Sequence, residues 1–356
     1  MFFISFVSLW LAFAISLLLF LGGCHDRNPS EAQLPPPNRT IESVAVPKLE
    51  KNDDTFAESV PIALKNPPQV NGERLFAHVQ ALAFPRNDEI DRSRARQYLI
   101  DTLVEAGWTP KLQAFEGGVN VIAEHPGTDS EAGSIVVAAH YDTVANAPGA
   151  DDNASGVATV LELAQLFRDL PTPRTLTLVL FDREEDGLLG SFAYVNSADL
   201  KTLRGAIVLE TIGYTCREPG CQTYPVGLSG TFPDTGDFLG VLGDTKHPEL
   251  IEAFVRASRE ELDRSQASDL PEVVTLAVPV GGLMLPDLLR SDHAPFWFVG
   301  IGAVMVTDTA EFRNPNYHRS SDLPETLDRS FLSGSAQLVV NATHIVLNRT
   351  ESRNEH

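Results

Sequence analysis

SIVVAAHYDTVANAPGADDNASGVATVLELAQLFRDLPTPRTLTLVLF, residues 134–181, reads as strand, loop, helix and strand. Residues 134–140 are a nearly continuous apolar run, as a strand buried on both faces requires. In GVATVLELAQLFRDL (156–170), Val157, Val160, Leu161, Ala164 and Phe167 share one helical stripe, and TLTLVLF (175–181) is a second buried strand. Outward from this unit, DRSRARQYLIDTLVEAGW (91–108) spaces Tyr98, Leu99, Leu103, Val104 and Trp108 as a helix does. VNVIAEH (119–125), GAIVLE (205–210) and GAVMVTD (302–308) read as further strands, and the last long helix lies around 329–347. Strands separated by helices predict an α/β fold: a mainly parallel, mixed central sheet with helices on both faces. Ligands bind such sheets at the carboxyl ends of the strands.

The chain has 356 residues, 48 acidic and 27 basic, for a formal charge of −21, and 43% of it is apolar. That apolar share builds one large domain or two smaller ones. The acidity argues against nucleic acid as a partner, because phosphate binding needs clustered Lys and Arg. Three cysteines are too few for a disulfide scaffold. Cys216 and Cys221, in CREPGC, either close a small loop around a Pro219-Gly220 turn or remain free thiols. Their spacing is wrong for a metal knuckle.

Residues 1–23, MFFISFVSLWLAFAISLLLFLGG, carry no charged side chain. They are long enough to span a bilayer as a helix, and they lack the positive start of a typical secretory signal. Leu21-Gly22-Gly23-Cys24 resembles the lipobox of bacterial lipoproteins, in which the cysteine is lipidated and becomes the N-terminus. We therefore read 1–24 as a lipoprotein signal, or else a membrane anchor. Residues 25–65, with Pro35-Pro36-Pro37, read as a tether, and 66–350 as the folded domain. Either reading puts that domain at the cell envelope, facing the periplasm or exterior.

Polar clusters sit at predicted strand ends. His140 and Asp142 close the 134–140 strand; alone, such a pair is more often a surface hydrogen bond than a metal ligand with its supporting carboxylate. Asp151-Asp152-Asn153 precede the 156–170 helix, where a cap needs only one of them. Asp182, Glu184, Glu185 and Asp186 are four acids in five residues, whose repulsion calls for cations. SDHAPF (291–296) and YHRSSD (317–322) flank the 302–308 strand.

Together the order HxD, GADDNASG, EEDGLLGS, LETIGY, SDHAPF and YHRSSD resembles the M28 metallopeptidases, the zinc aminopeptidase-like exopeptidases. The resemblance runs from about residue 70 to 350 and implies the zinc-exopeptidase architecture, a peptide substrate and two Zn2+ per chain. It implies that His140 and Glu210 bind one zinc and Glu185 and His318 the other. Asp152 bridges them with a cis peptide bond to Asn153, Asp142 supports His140, and Glu184 is the general base toward a water between the ions. Two departures stand out: Glu210 replaces a frequent aspartate, and no tyrosine precedes the SDH motif as an oxyanion donor. His293 is the candidate substitute, with a structural hydrogen bond as its alternative.

The expected reaction is removal of N-terminal residues from peptides. A single-zinc glutaminyl cyclase, a carboxypeptidase or a non-catalytic binding domain are the rival readings; the last is disfavoured because every implied position is filled. The stretch 215–300 contains a helix-like 251–264 and an apolar 273–289 run with Gly281-Gly282, which lines a pocket, forms a lid or is ordinary core.

Overall fold

A computed structural model describes residues 67–349 except 227, 229, 231, 265–269, 283 and 284, all within the unit Ile62–His356. Residues 1–24, Cys24 and the 25–65 tether lie outside the described residues. Among the described residues no helix is long and apolar enough to cross a membrane.

Among the described residues eight strands form one sheet: β1 (Lys111–Phe115), β2 (Gly118–His125), β3 (Ser134–His140), β4 (Thr175–Phe181), β5 (Leu203–Glu210), β6 (Phe238–Asp244), β7 (Glu272–Val278) and β8 (Ala303–Thr307). Their order is β1-β2-β4-β3-β5-β8-β6-β7. β3 pairs parallel with β4 and β5, β5 with β8, and β6 with β7. β1–β2, β2–β4 and β6–β8 are antiparallel, so the sheet is mixed, as the alternation of elements predicts.

Helices cover both faces. α1 (Gly72–Leu82), α2 (Glu89–Glu105), α3 (Gly156–Phe167), α5 (Pro248–Arg264) and α7 (Arg329–Asn348) enclose the larger core, and α4 (Leu189–Ser197) and α6 (Ala294–Phe298) the smaller. The continuous apolar runs follow from this: Ile135, Val137 and Ala139 face the first core while Val136 and Ala138 face the second. Polar caps start the helices, with Asn71, Asp88 and Asp328 accepting from backbone N–H groups of the first turn.

Strands β1, β6 and β7 and helices α1, α4 and α6 are additions to the sequence reading. β6, Phe-Leu-Gly-Val-Leu-Gly-Asp, is broken by glycines that the packing demands. A Cβ at Gly240 would lie 3.2 Å from the Thr307 carbonyl, and one at Gly243 within 2.9 Å of Ile251 and Val304. β7 takes up the first part of the 273–289 run. Cys216 and Cys221 are joined by a disulfide that closes the CREPGC loop.

Candidate active site

β3, β4, β5 and β8 deliver their last residues to one rim of the sheet. His140 ends β3, Asp182–Glu185 follow β4, Glu210 ends β5, and His318 follows β8. Backbone there is tightly turned: Arg183, Thr211, Thr309, Ala310 and His318 all have φ between 46° and 84°.

The Asp151-Asp152-Asn153 run between β3 and α3 spends each of its residues. Asp151 accepts from the Gly213 N–H at 2.9 Å and from the Asn314 amide at 2.7 Å. Asn153 donates to the Leu209 carbonyl at 2.8 Å, tying the turn to β5. Asp322 accepts from the N–H groups of Asp151 and Asp152 at 2.9 and 3.1 Å. Asp152 is left free to face the rim, and its peptide bond to Asn153 is cis.

His140 Nε2 lies 3.2 Å from Asp152 Oδ1 and 3.5 Å from Glu210 Oε1. His318 Nε2 lies 3.1 Å from both Asp152 Oδ2 and Glu185 Oε2. Two triads thus share Asp152, and in each the ligand atoms fall within 4.8 Å of one another. The first triad is buried, whereas His318 is exposed and opens the second to solvent. His140 Nε2, Asp152 Oδ1 and Glu185 Oε1 are buried without hydrogen-bond partners. Orphaned buried polar atoms are rare in folded proteins, and a cation held here would give all three a partner. An imidazole-and-carboxylate donor set of this kind fits zinc.

Charge in this cluster is held down by protons. Burial opposes protonation of His140, but Glu210 and Glu184, with Asp142 and Asp152, raise its pKa well above the usual value. His318 is pushed up to about 10: burial again opposes, while bonds to Asp152 and Glu185 win. Burial and the Asp152 charge lift Glu185 to about 7. Glu184 is also raised well above its usual value, by burial, with Glu210, Asp292 and Glu185 adding to the shift against the pull of His140.

Asp142 serves both halves of the cluster. Its carboxylate lies 3.5 Å from His140 Nδ1 and accepts the backbone N–H groups of Glu184 and Glu185 at 3.0 and 3.1 Å. The SDH motif divides three ways. Ser291 donates to Glu210 Oε2 at 2.7 Å. Asp292 is fully buried beside the cluster, and burial raises it to about 7. His293 corrects the sequence expectation. Its Nε2–H donates to the Leu288 carbonyl at 2.8 Å, and its ring meets the edge of Trp297 with centroids 4.6 Å apart. Burial lowers its pKa to about 4, so it stays neutral with its one N–H spent and has none for an oxyanion.

Sequence reasoning passed over Tyr317, although it adjoins His318. Its ring stacks on His318 with centroids 3.8 Å apart, and burial together with the Asp152, Glu210 and Glu185 charges keeps its hydroxyl protonated. Tyr317 and Glu210 share the wall of a cavity of about 110 Å³ with Tyr224, Leu228, Phe232, Leu242, Leu276 and Met305. Val274, Leu276, Asp287 and Leu288 bring the 273–289 run into this wall, so that run lines a pocket.

The model of Peptidase family M28 matches residues 120–343. YfbL of Escherichia coli, an uncharacterized protein, is 31% identical over 296 residues, 78% of this chain and 87% of its own length. "Probable lipoprotein aminopeptidase LpqL" of Mycobacterium tuberculosis is 31% identical over 232 residues, 63% of this chain and 44% of its own. The structure of BSAP, a zinc aminopeptidase from Bacillus subtilis, superposes with a TM-score of 0.50 at 25% identity, covering 66% of this chain and 52% of that one. The chain thus spans about half the length of these two aminopeptidases. With its motifs at one sheet rim and more than half its length matched, the chain belongs to peptidase family M28 and is a metallopeptidase of that family.

Proposed function

We propose that the chain is a di-zinc aminopeptidase that removes N-terminal residues from peptides. The observation that carries this reading is the pair of ligand triads sharing Asp152, with Glu184 beside them. His140, Asp152 and Glu210 would hold one zinc, and Asp152, Glu185 and His318 the other. Zinc bound there supplies a Lewis acid that polarises a carbonyl and acidifies water. Glu184 takes a proton from the attacking water and returns it to the leaving amine. A buried carboxyl whose pKa is raised holds a proton more readily than a free one, as the return of that proton to the amine requires. The Tyr317 hydroxyl, protonated and at the cavity wall, donates to the carbonyl oxygen as it gains charge. The substrate's ammonium is drawn to this acidic rim, while its side chain enters the apolar cavity.

Glu184→Gln tests the assignment. It should retain zinc and lose turnover by on the order of 10²–10⁴-fold. Unchanged release of aminoacyl-nitroaniline product by this variant would sink it. We further propose attachment to the cell envelope through Cys24, supported by the lipobox-like Leu21-Gly22-Gly23-Cys24 and by the lipoprotein name of LpqL.

A further inference from the structure

Arg86 lies between α1 and α2, ahead of the residues matched by the M28 family, and is 0% exposed. Its guanidinium bonds run to backbone carbonyls. Nε donates to Tyr141 at 2.7 Å, Nη1 to Pro148 at 2.7 Å and Phe84 at 3.0 Å and also to Leu82, and Nη2 to Gly149 at 3.1 Å. The Arg86 backbone N–H donates to Thr143 Oγ1 at 2.8 Å. Tyr141, Thr143, Pro148 and Gly149 are the two ends of the connection that leaves β3 after His140 and returns to Asp152. Gly149, at φ +63°, packs closely in this turn: a Cβ there would come within 2.3 Å of the Asp152 carbonyl, 2.4 Å of Thr143 Cγ2 and 2.8 Å of Arg86 Nη2.

A buried cation is costly, and its direct partners here are uncharged. Burial lowers its pKa to about 10, against the pull of Asp142, Asp152, Asp322 and Glu185. The counter-charge it sees is therefore the carboxylate cluster itself.

We propose that Arg86 is a positioning residue for the metal centre: by clamping both ends of the 141–149 connection it holds His140 and Asp152 at the separation a shared metal needs. The inference rests on the zinc reading above. Positioning and bare charge make opposite demands. Removing a nearby positive charge, by itself, strengthens binding of a cation, whereas releasing the clamp weakens it. Arg86→Lys keeps the charge but loses the fork that reaches several carbonyls at once.

The test uses purified full-length protein. Zinc affinity is measured by competition with a chromophoric chelator, and the coordination geometry by the visible absorption of the cobalt-substituted protein. Arg86→Lys and Arg86→Met are each expected to weaken binding by about 10–100-fold and to alter the cobalt spectrum, with turnover at saturating zinc less affected. Should Arg86→Met fail to fold, Arg86→Lys and Thr143→Val carry the same expectation in milder form. Wild-type affinity and an unchanged cobalt spectrum in Arg86→Lys, or tighter binding in Arg86→Met, would overturn the clamp. A wild-type protein that binds no zinc would overturn the zinc reading and the clamp together.

Discussion

Protons stand where cations are expected. With Glu185 raised to about 7 and His318 to about 10, the metal-free cluster keeps protons that a bound metal must expel. Zinc binding near pH 7.5 should therefore release about one to two protons per chain, seen as a binding heat that changes with buffer ionisation enthalpy. Zinc affinity should rise as the pH rises toward 10. A heat independent of buffer would contradict this. The same shifts set the pH dependence of the metal-free fold. The raised Glu185 gives stability that is complete below about 4.5 and lost as pH rises through about 7. The raised His318 gives stability that is complete below 6.5 and lost toward about 10. The melting temperature of metal-free protein should thus fall between pH 5 and 9 more steeply than that of zinc-loaded protein. Ser291→Ala, which frees Glu210 Oε2, should weaken zinc binding by about 10-fold with the fold intact. At this scale the sequence was most legible where a candidate ligand sits in a dense polar motif, as His140, Asp152 and Glu185 do. It was least legible at Arg86, whose partners are backbone carbonyls and leave no side-chain pattern. His293 misled because a motif position says nothing about which ring nitrogen is already occupied.

Elements divide in the same way. β3, α3 and β4 could be read because a strand buried on both faces must be apolar throughout and α3 keeps one clean stripe. β6 is equally buried, yet Gly240 and Gly243 erase its pattern, because a neighbouring carbonyl and the side chains of Ile251 and Val304 leave no room for a Cβ. Gly243→Val should therefore destabilise the protein by about 1–3 kcal/mol in urea unfolding. An unchanged unfolding midpoint would show that β6 packs less closely. β6 and β7 also line the cavity through Leu242, Val274 and Leu276, so the element hardest to read builds part of its wall. That is why the candidate ligand positions could be named from the sequence and the shape of the pocket could not.

For the whole molecule, one rim collects the acids and histidines of four strands, with one triad buried and the other facing solvent. The chain's charge of −21 extends this acidic field, and under the proposed function it would favour a substrate that presents an ammonium group. If Cys24 is lipidated, the chain purified from its host should begin at Cys24 and carry a lipid label that Cys24→Ser abolishes, whereas an unlabelled chain that retains residues 1–23 would argue for a spanning helix instead. The di-zinc aminopeptidase reading is decided by the metal content of purified protein, determined alongside cleavage of a panel of aminoacyl-nitroanilides. About two zincs per chain are expected, with product release abolished by a chelator and restored by zinc. One zinc or none, with every amide intact, would contradict it and turn the reading toward a cyclase or a binding domain.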